Sequence, residues 1–198
     1  ESDSIAIKSL FWKGECKRYL GKNSEASTIY KEFLEKYPNE PLVQEVQYQL
    51  GVVYFNTNNT DLATRYLISA NSSTDSVVKA KSFAMLGEIE LNKGNFKAAK
   101  NYFEIVLANQ GAEKSVHNRA LLGLGISLFH LNDNKTALKY LTQLENADPG
   151  FETQKLNFFL AENYFATGDY KNALNNYNNS IGTDQEINSQ ALYGKAYS

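Results

Sequence analysis

The chain has 198 residues, 42% of them hydrophobic and 12 of them glycine, a composition that can bury a core and lies well above that of disordered chains. Its 20 basic and 22 acidic side chains leave a formal charge of −2, which removes the cationic excess behind non-specific nucleic-acid binding. No apolar run reaches the roughly 18 residues needed to cross a bilayer, and the single cysteine, Cys16, excludes an internal disulfide while leaving the compartment open.

Glu1 stands where Met would begin, with no basic, apolar and small-residue leader after it, which reads as an excised fragment or a mature form. From there the chain repeats itself. The first unit, over about residues 5–40, carries Gly14, a turn signal at Gly21, Ala26 and Tyr30, and closes on Tyr37-Pro38. The second, 42–76, carries Gly51, Asn58, Ala63 and Leu67; the third, 77–112, carries Gly87, Gly94, Ala99 and Phe103. The fourth, 115–150, has Gly125, Asn132, Ala137 and Leu141, and the fifth, 152–186, has Ala161, Gly168, Ala173 and Tyr177. Gly194 opens a partial sixth unit at 187–198. In all five complete units the small residue precedes the alanine by 12 positions and the turn residue by seven, whereas successive units start 37, 36, 38 and 36 residues apart. Length variation therefore sits in the linkers between units.

Around the small residues apolar positions recur at helical spacing, as in Leu50 with Tyr54 and Leu121 with Leu124 and Leu128. A glycine or asparagine midway marks a helix ending in a left-handed residue, so each unit is two helices. Antiparallel helices approach closely where one supplies a small residue and the other a bulky one, which predicts that the residue four after the alanine fills the groove beside the small residue. The units also alternate. The first, third and fifth have Glu15, Glu88 and Glu162 after the small residue, with Tyr30, Phe103 and Tyr177 in the second helix. The second and fourth have Val52 and Ile126, with Leu67 and Leu141. This alternation points to a duplicated pair of hairpins as the building block.

Leu10 to Pro38, with Gly14, Gly21, Ala26, Tyr30, Phe33 and Tyr37-Pro38, resembles the tetratricopeptide repeat family. Gly87, Gly94, Phe96, Ala99 and Phe103 repeat the pattern, as do Tyr164, Gly168, Tyr170, Ala173 and Tyr177, so the resemblance covers the whole chain. Two departures stand out: the closing proline is present only as Pro38 and Pro149, and Asn23 and Thr60 stand where an aromatic is usual. The resemblance implies an all-α fold, a right-handed α-solenoid of antiparallel helix hairpins forming one repeat domain within a longer protein. It also implies a non-catalytic scaffold that binds a protein or peptide segment on its concave side. A structural spacer or self-association module, or a regulatory repeat domain of a larger enzyme or sensor, are the alternatives. The run Phe11-Trp12-Lys13-Gly14-Glu15 is further similar to bacterial envelope-associated repeat proteins, which implies a periplasmic or envelope location.

In the family's geometry the residues three before, one after and four after the small position line the groove, one stripe of a helix. They are Phe11, Glu15 and Arg18; Tyr48, Val52 and Phe55; Ala84, Glu88 and Leu91; Leu122, Ile126 and Phe129; and Phe158, Glu162 and Phe165. One turn earlier Lys8, Lys81, Arg119 and Lys155 give a basic margin, broken by Glu45. The same aromatics also suit packing between adjacent first helices. Glu15, Val52 and Glu88 stand where the family's chaperone-tail clamp places asparagine-like donors, and a carboxylate there repels an acidic tail.

Chemistry has few candidates. His117 and His130 lack a second histidine, cysteine or carboxylate at ligand spacing, and Gly123-Leu124-Gly125 lies in a helical pattern where a dinucleotide fingerprint needs a strand. No cofactor, metal or catalytic site is expected. Cys16 reads as a partly buried structural thiol, and Trp12 as packing at the end of the stack or against a preceding repeat.

Overall fold

The computed structural model describes residues 2–198, with side chains from Ser4 onward. The described residues form eleven α-helices: α1 (Ser2–Tyr19), α2 (Asn23–Lys36), α3 (Val43–Asn56), α4 (Thr60–Ala70), α5 (Ser76–Asn92), α6 (Phe96–Ala108), α7 (Lys114–His130), α8 (Asn134–Ala147), α9 (Thr153–Ala166), α10 (Tyr170–Asn179) and α11 (Gln185–Tyr197). Sequential hairpins and an all-α fold are what the repeat implies. The helices divide into two compact units, one made of residues 1–89 with 109–112 and the other of 90–108 with 113–198.

All five turns within the hairpins are built alike. Gly21, Asn58, Gly94, Asn132 and Gly168 adopt left-handed backbone, with φ of 70°, 58°, 76°, 61° and 82°. The following amide then reaches back five residues, as in Asn59 N to Tyr54 O (2.8 Å), Asp133 N to Leu128 O (2.9 Å) and Asp169 N to Tyr164 O (2.9 Å). This satisfies a carbonyl that the helix end leaves unpaired, and glycine or asparagine reaches the required φ at the lowest cost. In three of the turns the residue delivering that amide also starts the second helix. The side chains of Asn59, Asp133 and Asp169 accept from the amides of Leu62, Thr136 and Asn172. In these three turns stop and start signals are adjacent residues, and the reach-back bond common to all five turns keeps the interval from small residue to alanine constant.

The second helices bury one stripe each, such as Ala26, Ile29, Tyr30 and Phe33 in α2. Large meets small where the spacing predicts: a Cβ added to Gly14 would lie 2.5 Å from the Tyr30 ring, one at Gly51 2.6 Å from Leu67 Cγ, and one at Gly125 2.5 Å from Leu141. In the first unit α1 packs on α2, α2 on α3 and α3 on α4. In the second, each helix from α6 to α11 packs on the next, and the first helices α7 and α9, and α9 and α11, also touch. There Phe103 presses on Gly123 of α7 and Tyr177 on Gly194 of α11, so a second helix feeds its aromatic into the following hairpin as well.

One expectation about α1 needs correction: Cys16 is exposed, not partly buried. Trp12 touches Phe11 edge-on at 5.3 Å and is 60% exposed within the described residues. The equivalent positions of α3 and α7, Gln49 with Val53 and Gly123 with Ser127, are buried because a preceding second helix packs on α3 and α7. No described helix precedes α1.

Candidate protein-binding surface

The pairing of glutamate with tyrosine in the first and fifth hairpins has a direct structural cause, which the third, with Glu88 and Phe103, does not share. Tyr30 lies across Gly14, and its hydroxyl donates to the Glu15 carboxylate. Arg18, one turn on, donates from Nη2 to Glu15 Oε2 (2.8 Å) and from Nε to Oε1 (3.3 Å). Glu15 is 5% exposed, so its charge is tolerable only because a cation and a hydroxyl satisfy it together. In the fifth hairpin Tyr177 donates to Glu162 Oε1 at 2.6 Å. Where leucine replaces tyrosine, no hydroxyl can reach that position, and Val52 and Ile126 stand there instead.

Placement of the predicted surface residues is uneven. In the first unit Phe11 and Glu15 are buried and Arg18 is engaged by Glu15, while Tyr48, Val52, Phe55 and Glu88 are half-buried. In the second, Leu122 and Ile126 lie in a core with Leu141, Leu144, Leu156 and Leu160, and Phe158 is buried against the Tyr177 ring. These five buried residues offer little surface to a partner. The reason is common to them: the offsets that set a groove on one helix also meet the second helix or the next first helix, and bulky side chains there are covered. Phe129 and Phe165 remain half-buried, Phe129 against Phe159 (5.7 Å between ring centres) and Phe165 against Tyr170 (5.5 Å). Lys155 is half-buried and Arg119 exposed.

An open pocket of about 390 Å³ lies between α9 and α11, lined by Phe158, Glu162, Ser189, Gln190, Tyr193 and Gly194. Sequence reasoning reached Phe158 and Glu162 but missed the four residues of α11, because the partial sixth hairpin was read only as a truncated repeat. Its one legible signal was Gly194, the small residue that admits Tyr177.

Both tyrosines bind their protons more tightly than a free phenol, chiefly through burial and secondly through donation to Glu15 or Glu162. The folded pKa lies above the unfolded one. Their contribution to stability is therefore complete below about pH 10 and is lost as pH rises through the folded values. The urea midpoint is expected to fall steeply above about pH 10 and to fall less in the Tyr30→Phe, Tyr177→Phe double variant; identical alkaline limbs would refute this assignment. Among the described residues no group of three or more histidine, cysteine or acidic side chains could hold a metal, and no helix is long and apolar enough to cross a membrane.

Comparisons place these features in a family. The SusR N-terminal TPR domain matches residues 3–114, and the tetratricopeptide repeat matches residues 84–150. No protein with a curated description matches the sequence. Among solved structures, that of PilF from Pseudomonas aeruginosa is similar with a TM-score of 0.76 at 13% identity, covering 100% of this chain and 90% of that one. YrrB, described as a TPR protein with an unusual peptide-binding site, gives 0.74 at 18% identity over 99% and 98% of the two chains. MamA gives 0.72 at 18% identity over 96% of each. With more than half its length matched by one repeat-domain family and its hairpins, turns and small-to-large contacts accounted for, the chain belongs to the tetratricopeptide repeat proteins, as a SusR N-terminal TPR domain, and is a protein-protein interaction domain.

Proposed function

We propose that the chain binds an extended or helical protein segment along the exposed parts of its first helices, the side that is concave in the family's geometry, as a scaffold without chemistry of its own. In the second unit the contact surface runs over Phe129, Phe165 and the pocket at Glu162. The observation that carries this reading is that Phe129 and Phe165 stay half-buried although the core around them is closed, and that an open pocket lies on α9, the helix that carries Phe165. Large aromatics left partly in water next to a concavity are typical anchors for a partner. YrrB, with the same fold, is described by its peptide-binding site, which is consistent with this use of the fold.

The test separates binding from packing. Selection of displayed random peptides against the chain is expected to enrich segments whose affinity falls about tenfold or more in the Phe129→Ala, Phe165→Ala double variant. Each substitution should cost about 1–2 kcal/mol of stability, less than a fully buried phenylalanine, because each ring is only half-buried. Ile68→Ala, on the exposed side of α4, serves as control. Enriched segments that bind the double variant as well as the parent would move the site elsewhere.

A further inference from the structure

Glu162 and Glu15 occupy the same place in two hairpins, yet only one of them is electrically complete. Each follows the small residue of its first helix, and each accepts from the tyrosine of its second helix. In the first hairpin Arg18 supplies the cation, with two donors on one carboxylate. The residue at the corresponding place of the fifth hairpin is Phe165, which packs on Tyr170. No ion pair involves Glu162 among the described residues, although its side chain lines an open pocket.

We propose that this pocket receives an arginine side chain from the bound segment, whose guanidinium takes the place at Glu162 that Arg18 takes at Glu15. The inference deepens the reading of the chain as a segment-binding scaffold and rests on it for the source of the arginine. Three features of the site fit that group. Tyr177 holds Oε1 of Glu162, so the carboxylate is oriented before a ligand arrives and loses little freedom on binding. Tyr193, 68% exposed, supplies an aromatic face against which a planar, weakly hydrated guanidinium stacks better than an ammonium, and the buried Phe158 contributes only an apolar edge to the lining. The remaining lining, Ser189, Gln190 and Gly194, is uncharged, and neither Lys155 nor Lys195 lines the pocket to compete for the carboxylate. A fork of N–H donors meeting a fixed carboxylate is also the geometry that distinguishes arginine from lysine.

N-acetyl-arginine methylamide titrated into the isotope-labelled chain is expected to shift the amides of Ser189, Gln190, Tyr193 and Gly194 saturably. The neutral citrulline analogue should leave them in place, and the lysine analogue should bind more weakly. Glu162→Gln keeps an acceptor for Tyr177 and should weaken the arginine probe about tenfold or more. Phe165→Arg recreates the internal pair of the first hairpin and should close the site to the probe while Glu162 is still present. Thermal melts of both variants guard against a loss of folding, and Tyr177→Phe, which keeps the ring, gives a milder loss of probe affinity as a second measure. Shifts that are absent, equal for citrulline or lysine, or unchanged in Glu162→Gln and Phe165→Arg would overturn the proposal. The displayed-peptide selection distinguishes the two levels. Enriched segments with no preference for arginine would uphold the scaffold and overturn the arginine pocket. Probe binding without any enriched segment would uphold the pocket and remove the scaffold reading.

Discussion

Tyr30→Ala is expected to destabilise the first hairpin by about 3–5 kcal/mol, the range for removing a fully buried aromatic ring. Tyr30 has no exposed surface, covers Gly14, and satisfies Glu15 through its hydroxyl. Removing it opens a cavity beside a glycine that cannot fill it, and it leaves a buried carboxylate with Arg18 as its remaining partner. Tyr30→Phe keeps the packing and deletes only the donor, so it should cost about 1–3 kcal/mol. Urea unfolding, with amide exchange in α1 and α2 to localise the effect, measures both. A loss below about 1 kcal/mol for Tyr30→Ala would mean that the ring is not the keystone between the two helices.

Leu141→Ala should cost about 2–5 kcal/mol, and Gly125→Ala about 1–3 kcal/mol through the opposite fault. Leu141 is fully buried, and a Cβ on Gly125 would stand 2.5 Å from its Cγ and Cδ2. The first change empties the contact and the second overfills it. Combined, the new methyl of residue 125 occupies space vacated by Leu141, so the double variant should be more stable than the sum of the single losses implies. Strict additivity in a double-mutant cycle would show that the two positions do not share the contact.

The features that sequence alone determined are those set by short-range constraints. A left-handed φ admits few residues, so Gly21, Asn58, Gly94, Asn132 and Gly168 announce their turns, and the constant interval from Gly14 to Ala26 or Gly125 to Ala137 encodes a hairpin contact of fixed geometry. Identity at five repeats multiplied weak signals into a fold. The alternation of Glu15 and Glu162 with Val52 and Ile126 was equally visible, but its cause was not, because Tyr30 and Tyr177 lie 15 residues away from the carboxylates they satisfy. Only the tertiary structure decided which stripe residues stay open. Leu122 and Phe129 stand on the same stripe of α7, yet the first is covered by a core shared with α8 and α9 and the second is half-exposed. Burial depends on every element packed against a residue, whereas periodicity reports only the helix that carries it. For the same reason the pocket at Glu162 required α9 and α11 side by side, and the difference between Arg18 and Phe165, a single letter in the sequence, acquired meaning only when Glu15 and Glu162 could be seen with their neighbours.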